Sequence, residues 1–353
     1  MSTIAQPDIA CRVTGGVDTH KDFHVAAALD QLGRLLEIAE FPATAAGYGQ
    51  LRAWLVNHGE IDAVGIEGCG SWGAGLARHL TAAGVAVVEV NRPNRQTRRR
   101  RGKSDSIDAE AAARAVLNGD ASATPKSGDG PVEALRQLRV ARAGARKART
   151  AAANQLHSLL DTAPDDLRAK MAKLTFKEKV KVAERFRPGS GSDIETSTKR
   201  ALRSVARRWR FLDDEARSLY TDAKTIIDAI APSLVDRHGV GYDTAGQLLV
   251  TAGDNPERLQ SEKSFAALCA PTPVLASSGR TNRHRLNRGG DRHANSALWT
   301  IVGPVQASAC IRRAGGEPRA RGAPSGDRRR AASLCPAMRV GWCRDGAGAG
   351  PML

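Results

Sequence analysis

Aromatic residues are scarce in this sequence: three Tyr, five Trp and six Phe in 353 residues. Stacking on aromatic side chains is therefore not expected to dominate binding of a single nucleic-acid strand. No stretch approaches the roughly 20 consecutive apolar residues that span a bilayer, so no membrane association is expected. Met1 to Arg12 lacks the basic, apolar, small-residue order of a secretory signal, and the expected compartment is a reducing cytoplasm. The six cysteines, Cys11, Cys69, Cys269, Cys310, Cys335 and Cys343, include no CxxC pair and no zinc spacing. Neither a disulfide framework nor a structural zinc is expected.

Positive charge is what the chain has in excess. Fifty-three Lys and Arg against 37 Asp and Glu give a formal charge of +16 and a pI near 10.2. A polyanion is the natural partner for such a balance, and nucleic acid is the default polyanion. The length suits two or three domains with a sizeable core.

Periodicity divides the chain. Thr14 to Leu29 reads as a buried strand broken by polar residues, with a hairpin partner after the turn at Asp30 to Gly33. Residues 43–58 and 72–83 have helical spacing, and 62–67 and 85–90 read as short apolar strands. This order predicts a mixed α/β sheet domain over about 13–125. The basic run RPNRQTRRRRGK at 92–103 precedes a helix of good formers that ends at Gly119. Residues 131–161 and 194–230 predict two long helices, a hairpin or coiled coil over 131–230, with RPGSGS at 187–192 as linker or tip. Short helices joined by glycine turns are expected over 231–302. From Gly303 to Leu353 the chain lacks lysine and alternates Arg, Ala, Gly and Pro without period. An irregular tail is expected there, of the kind a frameshift in a GC-rich gene produces.

Four acids stand out. Asp18 interrupts a strand between apolar neighbours, where an unpaired carboxylate costs several kcal/mol. Glu67 ends a strand, and α/β sheets place chemistry at strand carboxyl ends. Asp105 and Asp108 are spaced i, i+3 and project from one face of a helix. Together they could hold one or two Mg²⁺ or Mn²⁺ ions. Asp105 and Asp108 also fit ordinary acids of a helix first turn. GVDTHK alone also suggests an actin-like phosphate loop, but the glycine turn that reading wants comes too late.

Further along, Ser277, Ser278 and Gly279 precede TNRHRLNRGGDRHAN. A serine beside Arg and His can attack a phosphodiester while cations such as Arg283 and Arg285 carry the growing charge. A plain polar turn reads the same way.

The two halves together resemble one family. GVDTHKDFHVAA, the strand ending at Glu67 and KSDSIDAEAAARA are similar to the RuvC-like, RNase H-like DEDD domain of insertion-sequence transposases of family 110, relatives of the pilin-gene invertases. LCAPTPVLASSGRTNRHRLNRGGDRHANSAL is similar to that family's small, mostly α, serine-bearing domain. The resemblance covers residues 13 to 302. It implies an acidic metal-binding tetrad at Asp18, Glu67, Asp105 and Asp108, and a nucleophile at Ser278, with Ser277 the alternative. It implies strand exchange through a transient phosphoserine link between donor and target DNA. It further implies guidance by a noncoding bridge RNA, which leaves sequence choice to base pairing, and a homodimer that builds to a tetramer. In the family a further helical segment follows SALWTIV, and the tail from Gly303 does not resemble it.

The remaining features fit nucleic-acid binding. Arg98, Arg99, Arg100, Arg101 and Lys103 form a candidate backbone clamp. Arg136, Arg139, Arg142, Arg146, Lys147 and Arg149 predict a basic helix face, or a merely solvated one. The segment from His238 to Tyr242 resembles a helix-hairpin-helix turn. A metal-dependent junction resolvase that does not need Ser278, and an inactivated copy that only binds nucleic acid, are the competing readings.

Overall fold

The structure, a computed structural model, describes residues 11–90, 104–271, 273–279 and 281–314, with 304–314 described by backbone only. The basic run from Arg98 to Lys103 lies outside the described residues, apart from its boundary at Ser104. The described residues form two compact units, one from within 11–130 together with 252–265, the other from 131–251 together with those of 266–314. This differs from the expected linear series 13–125, 131–230 and 231–302. The long helices group with 266–314, and 252–265 groups with the N-terminal unit. Asn255 is one reason: its side-chain amide donates to the Pro125 carbonyl at 2.9 Å and accepts from the Ser127 amide at 3.1 Å.

In the first unit, strands β1 (Arg12–Thr19), β2 (Phe23–Asp30) and β3 (Leu35–Pro42) form an antiparallel meander. Helix α1 (Ala45–His58), β4 (Glu60–Glu67), α2 (Ala74–Ala82), β5 (Val87–Val90) and α3 (Asp105–Leu117) follow. The sheet order is β3-β2-β1-β4-β5, with β4 parallel to both β1 and β5. This mixed five-stranded sheet is compatible with an RNase H-like α/β domain. The single strand expected over 14–29 is instead two strands. Polar residues 20–22 make a tight turn, closed by a 3.0 Å bond from the His20 amide to the Phe23 carbonyl.

Alternation along β1 and β4 sends Val13, Val17 and Ile66 to one face. There they pack with Leu51 and Leu55 of α1 and Leu76 and Leu80 of α2, all fully buried. Each such leucine contributes about 2 kcal/mol. The other face, lined by Val25 and Ala27, meets Ala109 of α3. Ser104 caps α3, accepting from the Ile107 amide, and its small buried residues Ala109, Ala112 and Ala113 let it lie close against the sheet.

The second unit is built on α4 (Pro131–Asp161) and α7 (Ile194–Ile230), the two long helices at the expected positions. Two short helices that the sequence reading lacked, α5 (Asp165–Ala172) and α6 (Phe176–Glu184), close one end. Met171 and Val180 pack there with Leu156, Leu160 and Leu202. At the other end Leu135 and Ile227 pack against α9 (Tyr242–Ala252), reached through the short α8 (Pro232–Val235). Asp213, 5% exposed, ties the pair together by accepting from Arg149 of α4 and Arg217 of α7. Helix α10 (Glu262–Cys269), strands β6 (Val274–Leu275) and β7 (His284–Arg285), and α11 (Arg292–Ala314) complete the described chain. The irregular tail was expected from Gly303, but α11 runs through Gly303 and Pro304 to Ala314; the rest of that tail lies outside the described residues. Gly303 and Pro304 are punctuation in a sequence, yet a helix can carry a proline at the cost of one amide hydrogen bond and a clash with the preceding turn.

Candidate active site

The acids of the first unit reach one place because of two glycines. Val17 pairs with Ile66 across β1 and β4, so Gly16 and Asp18, with Gly65 and Glu67, belong to the face opposite the α1 and α2 core. A methyl group on Gly16 would collide with the backbone of Ala109 and Ala113, and one on Gly65 would come within 2.9 Å of the Ala112 carbonyl oxygen. Helix α3 therefore passes directly over the glycines. Asp18 and Glu67 follow them on the same face, at the carboxyl ends of the strands. The first turn of α3 supplies Asp105 and Asp108.

His20 joins them, two residues after Asp18. Its Nε2 lies 3.3 Å from an oxygen of Asp18 and 3.3 Å from an oxygen of Asp105, yet makes a hydrogen bond to neither. Its ring rests against Phe23, with centroids 4.9 Å apart. Donor atoms of Asp18, His20 and Asp105 all lie within 4.8 Å of one another. Burial raises the Asp18 carboxyl above the usual carboxylate range; His20 opposes this, and Asp108 and Asp105 add to it. Asp108 is buried, at 4% exposure. Glu67 is half-buried, its carbonyl accepting a 2.8 Å bond from the Thr19 hydroxyl.

Carboxylates crowded at the cost of raising one of them, with an imidazole nitrogen among them, suit a divalent cation. The structure thus groups Asp18 and Asp105 with His20, holds Asp108 near enough to act on Asp18, and puts Glu67 on the same face one strand away. His20 is the site residue that sequence reasoning missed. Its signal was the strand period, since i and i+2 share a face. Cys69, close by in sequence, is no candidate nucleophile: burial, reinforced by Glu89, pushes its thiol up to about 12.

In the second unit, Ser277 and Ser278 sit in the β6-β7 hairpin. Ser278 and Thr281 exchange both backbone hydrogen bonds, at 3.1 and 3.0 Å, around a turn in which Gly279 has φ +55°. Positive φ there favours glycine. The Ser277 hydroxyl is occupied, donating to the Asn282 side-chain oxygen at 2.9 Å and accepting from the Arg283 amide at 3.2 Å. The Ser278 hydroxyl is exposed, with no hydrogen-bond partner among the described residues. Arg283 and Arg285 are exposed on the same hairpin.

Asp291 anchors the far side of this segment. One oxygen caps α11, accepting from the amides of His293 and Ala294, and the other accepts from the Thr251 hydroxyl at 2.7 Å. Burial pushes its carboxyl up, but those bonds, with His293, outweigh burial and hold it below the usual range.

The expected basic face of α4 is largely committed inside the unit. Arg139 donates to the Asp243 carbonyl and to Gln247, and Arg142 pairs with the Asp243 carboxylate while its guanidinium lies 4.6 Å from the Tyr220 ring centre. They are 20% and 15% exposed. Arg136 pairs with Glu133 and Arg149 with Asp213. Arg146, 54% exposed, reaches Asp243 only at 3.9 Å. Arginines with helical spacing read as a free stripe until α7 and α9 bring their acids. Between α8 and α9, Gly239 has φ +84° in the expected glycine turn, and the Tyr242 hydroxyl donates to Asp228 at 2.7 Å.

Residues 15–163, which hold all four acids and His20, match a family model described as Transposase. Residues 233–316, which hold the serine hairpin and α11, match one described as Transposase IS116/IS110/IS902 family. The two matches, neither spanning half of the chain, support a transposase role and the IS110 transposase family. No curated protein matches the chain. Among the described residues no helix is long and apolar enough to cross a membrane.

Proposed function

We propose that this chain is the transposase of an insertion sequence that acts in the cytoplasm on donor and target DNA through two sets of residues. The carrying observation is the convergence of Asp18, Asp105 and their neighbours on one face of the sheet, inside a region that matches a transposase model. Asp18, Glu67, Asp105 and Asp108 would hold Mg²⁺ or Mn²⁺. When bound, that ion supplies positive charge against the phosphate under attack.

Ser278 is the nucleophile. Its oxygen bonds to phosphorus as the bond to a deoxyribose oxygen breaks; the serine proton is lost and the leaving oxygen takes one up. Two observations support Ser278 over Ser277: its exposed hydroxyl has no described partner, and the Ser277 hydroxyl holds the hairpin. Arg283 and Arg285 flank the reacting phosphate, and Arg98 to Arg101 with Lys103 and the exposed Arg146 hold the backbone. Arg139 and Arg142 shape the second unit instead. A noncoding bridge RNA selects the sites by base pairing, and a homodimer assembles to a tetramer on the two duplexes.

The test is a recombination assay with purified protein, a divalent metal, donor and target DNA, and RNA transcribed from the element's flank, with trapping of covalent protein-DNA adducts. An adduct that Ser278→Ala and Asp18→Ala both abolish, and Ser277→Ala only weakens, is the expected result. Cutting that persists in Ser278→Ala would make the chain a metal-dependent nuclease. Nucleic-acid binding without any cutting would make it an inactivated copy.

A further inference from the structure

The acids do not account for the whole cluster, because His20 stands between two of them with an imidazole nitrogen that neither bonds. We propose that His20 is a direct nitrogen ligand of the metal centre and biases it toward Mn²⁺ over Mg²⁺. This rests on the reading of the acids as metal-binding.

Three observations carry it. First, Nε2 is 3.3 Å from one oxygen of Asp18 and 3.3 Å from one oxygen of Asp105. Neighbouring ligands of an ion with bonds of about 2.1 Å lie about 3 Å apart, and opposite ones about 4.2 Å. All three donor atoms fall within 4.8 Å of one another, close to that spacing. Second, Nε2 is shut off from solvent and has no hydrogen bond, although two carboxylates face it. A nitrogen in that position has only two ion pairs of poor hydrogen-bond geometry where buried polar atoms normally find a well-aligned partner, and a cation between the three groups provides one. Third, the ring is held by the fold. Residue 20 directly follows β1, its amide is bonded to the Phe23 carbonyl, and its ring packs on the Phe23 ring. A ligand oriented in advance loses little freedom on binding.

The chemistry then separates the ions. Mg²⁺ takes oxygen ligands and gives up its water reluctantly. Imidazole favours transition ions, and affinity for a site with nitrogen rises along the first row from Mn²⁺. A site of carboxylates alone would discriminate less between Mg²⁺ and Mn²⁺.

Mn²⁺ titrated into the full-length protein, followed by electron paramagnetic resonance and pulsed detection of coupled nitrogen, tests this without reference to activity. The expected result is saturable Mn²⁺ binding with the ¹⁴N modulation of a coordinated imidazole. In His20→Gln that modulation is lost, Mn²⁺ binds about 10-fold more weakly or worse, a step of about 1.4 kcal/mol, and the Mn²⁺ over Mg²⁺ preference narrows. Because the wild-type spectrum alone is diagnostic, a poorly folded variant does not blunt the test. Mn²⁺ binding that Asp18→Asn abolishes, but that carries no nitrogen modulation, overturns the role of His20 and leaves the acidic site standing. Modulation that persists in His20→Gln overturns it too. No saturable Mn²⁺ binding by the wild type overturns the metal reading of the acids itself, and this proposal with it.

Discussion

Asp18 of the first unit is perturbed in the opposite direction to Asp243 and Asp291 of the second. In the first, burial, Asp108 and Asp105 raise Asp18 against the pull of His20. In the second, burial pushes Asp243 and Asp291 up as well, yet both end below the usual range. Arg142, Arg139 and Arg146 hold Asp243 there, and Thr251 with the first amides of α11 holds Asp291. Asp243 and Asp291 are satisfied by the protein and stabilise it. Asp18 is crowded and stabilises its unit less, as expected where folding leaves a charge for a ligand to complete.

The largest effect expected from disturbing this contrast comes from Gly16→Val, which drives a side chain into the backbone of α3. Overpacking of this kind costs about 3 kcal/mol, and hydrogen exchange should show peptides of the first unit losing protection while α4 and α7 keep theirs. A tolerated valine would mean that α3 is not pinned over the acids.

Asp213→Ala tests the second unit. It leaves Arg149 partly buried without its acid and should cost about 3 kcal/mol in urea unfolding, the low end for breaking a buried pair. A loss below about 1 kcal/mol would show that the helices hold without it.

Asp291→Ala removes a helix cap together with the Thr251 bond and should cost about 2 kcal/mol. The stability Asp291 contributes is present above its unfolded value, near pH 4, and is lost as pH falls through its lower folded value. Wild-type protection of α11 should therefore fade in acid more steeply than that of the variant.

The smallest effect has the opposite sign. Because the folded value of Asp18 is raised, its stabilising contribution is complete below the unfolded value and is lost as pH rises through the folded one. In a chelator at neutral pH, Asp18→Asn should thus melt a few degrees above wild type, with the gain vanishing near pH 4. Saturating Mn²⁺ should reverse the order, since the ion stabilises only the protein that binds it. A variant less stable than wild type in chelator would end the contrast between the units.

Much of the fold was legible in the sequence because its signals are local. Helical spacing gave α4 and α7, and apolar runs bounded by turns gave β4 and β5. The polar break at 20–22 was read as an interruption of one strand because a two-strand turn and a flawed strand look alike before pairing partners are known. Helices α5 and α6 were missed for a similar reason: each is too short to show a clear period, and they are helices because Leu156, Leu160 and Leu202 offer them a surface. Of the site, Asp18 and Glu67 were visible as acids out of place, whereas Asp105 and Asp108 also fit an ordinary helix first turn. His20 was overlooked as one polar residue among several.

By itself the sequence determined the charge that calls for a polyanion and the order of the two regions that match transposase models, since composition and periodicity are properties of the chain. Only the tertiary structure decided which groups meet. Gly16 and Gly65 matter because α3 happens to cross them. Arg139 and Arg142 are structural because Asp243 arrives from about a hundred residues away. His20 faces Asp105 because a strand end and a helix start converge. Such encounters depend on contacts between distant segments, and no local pattern encodes them.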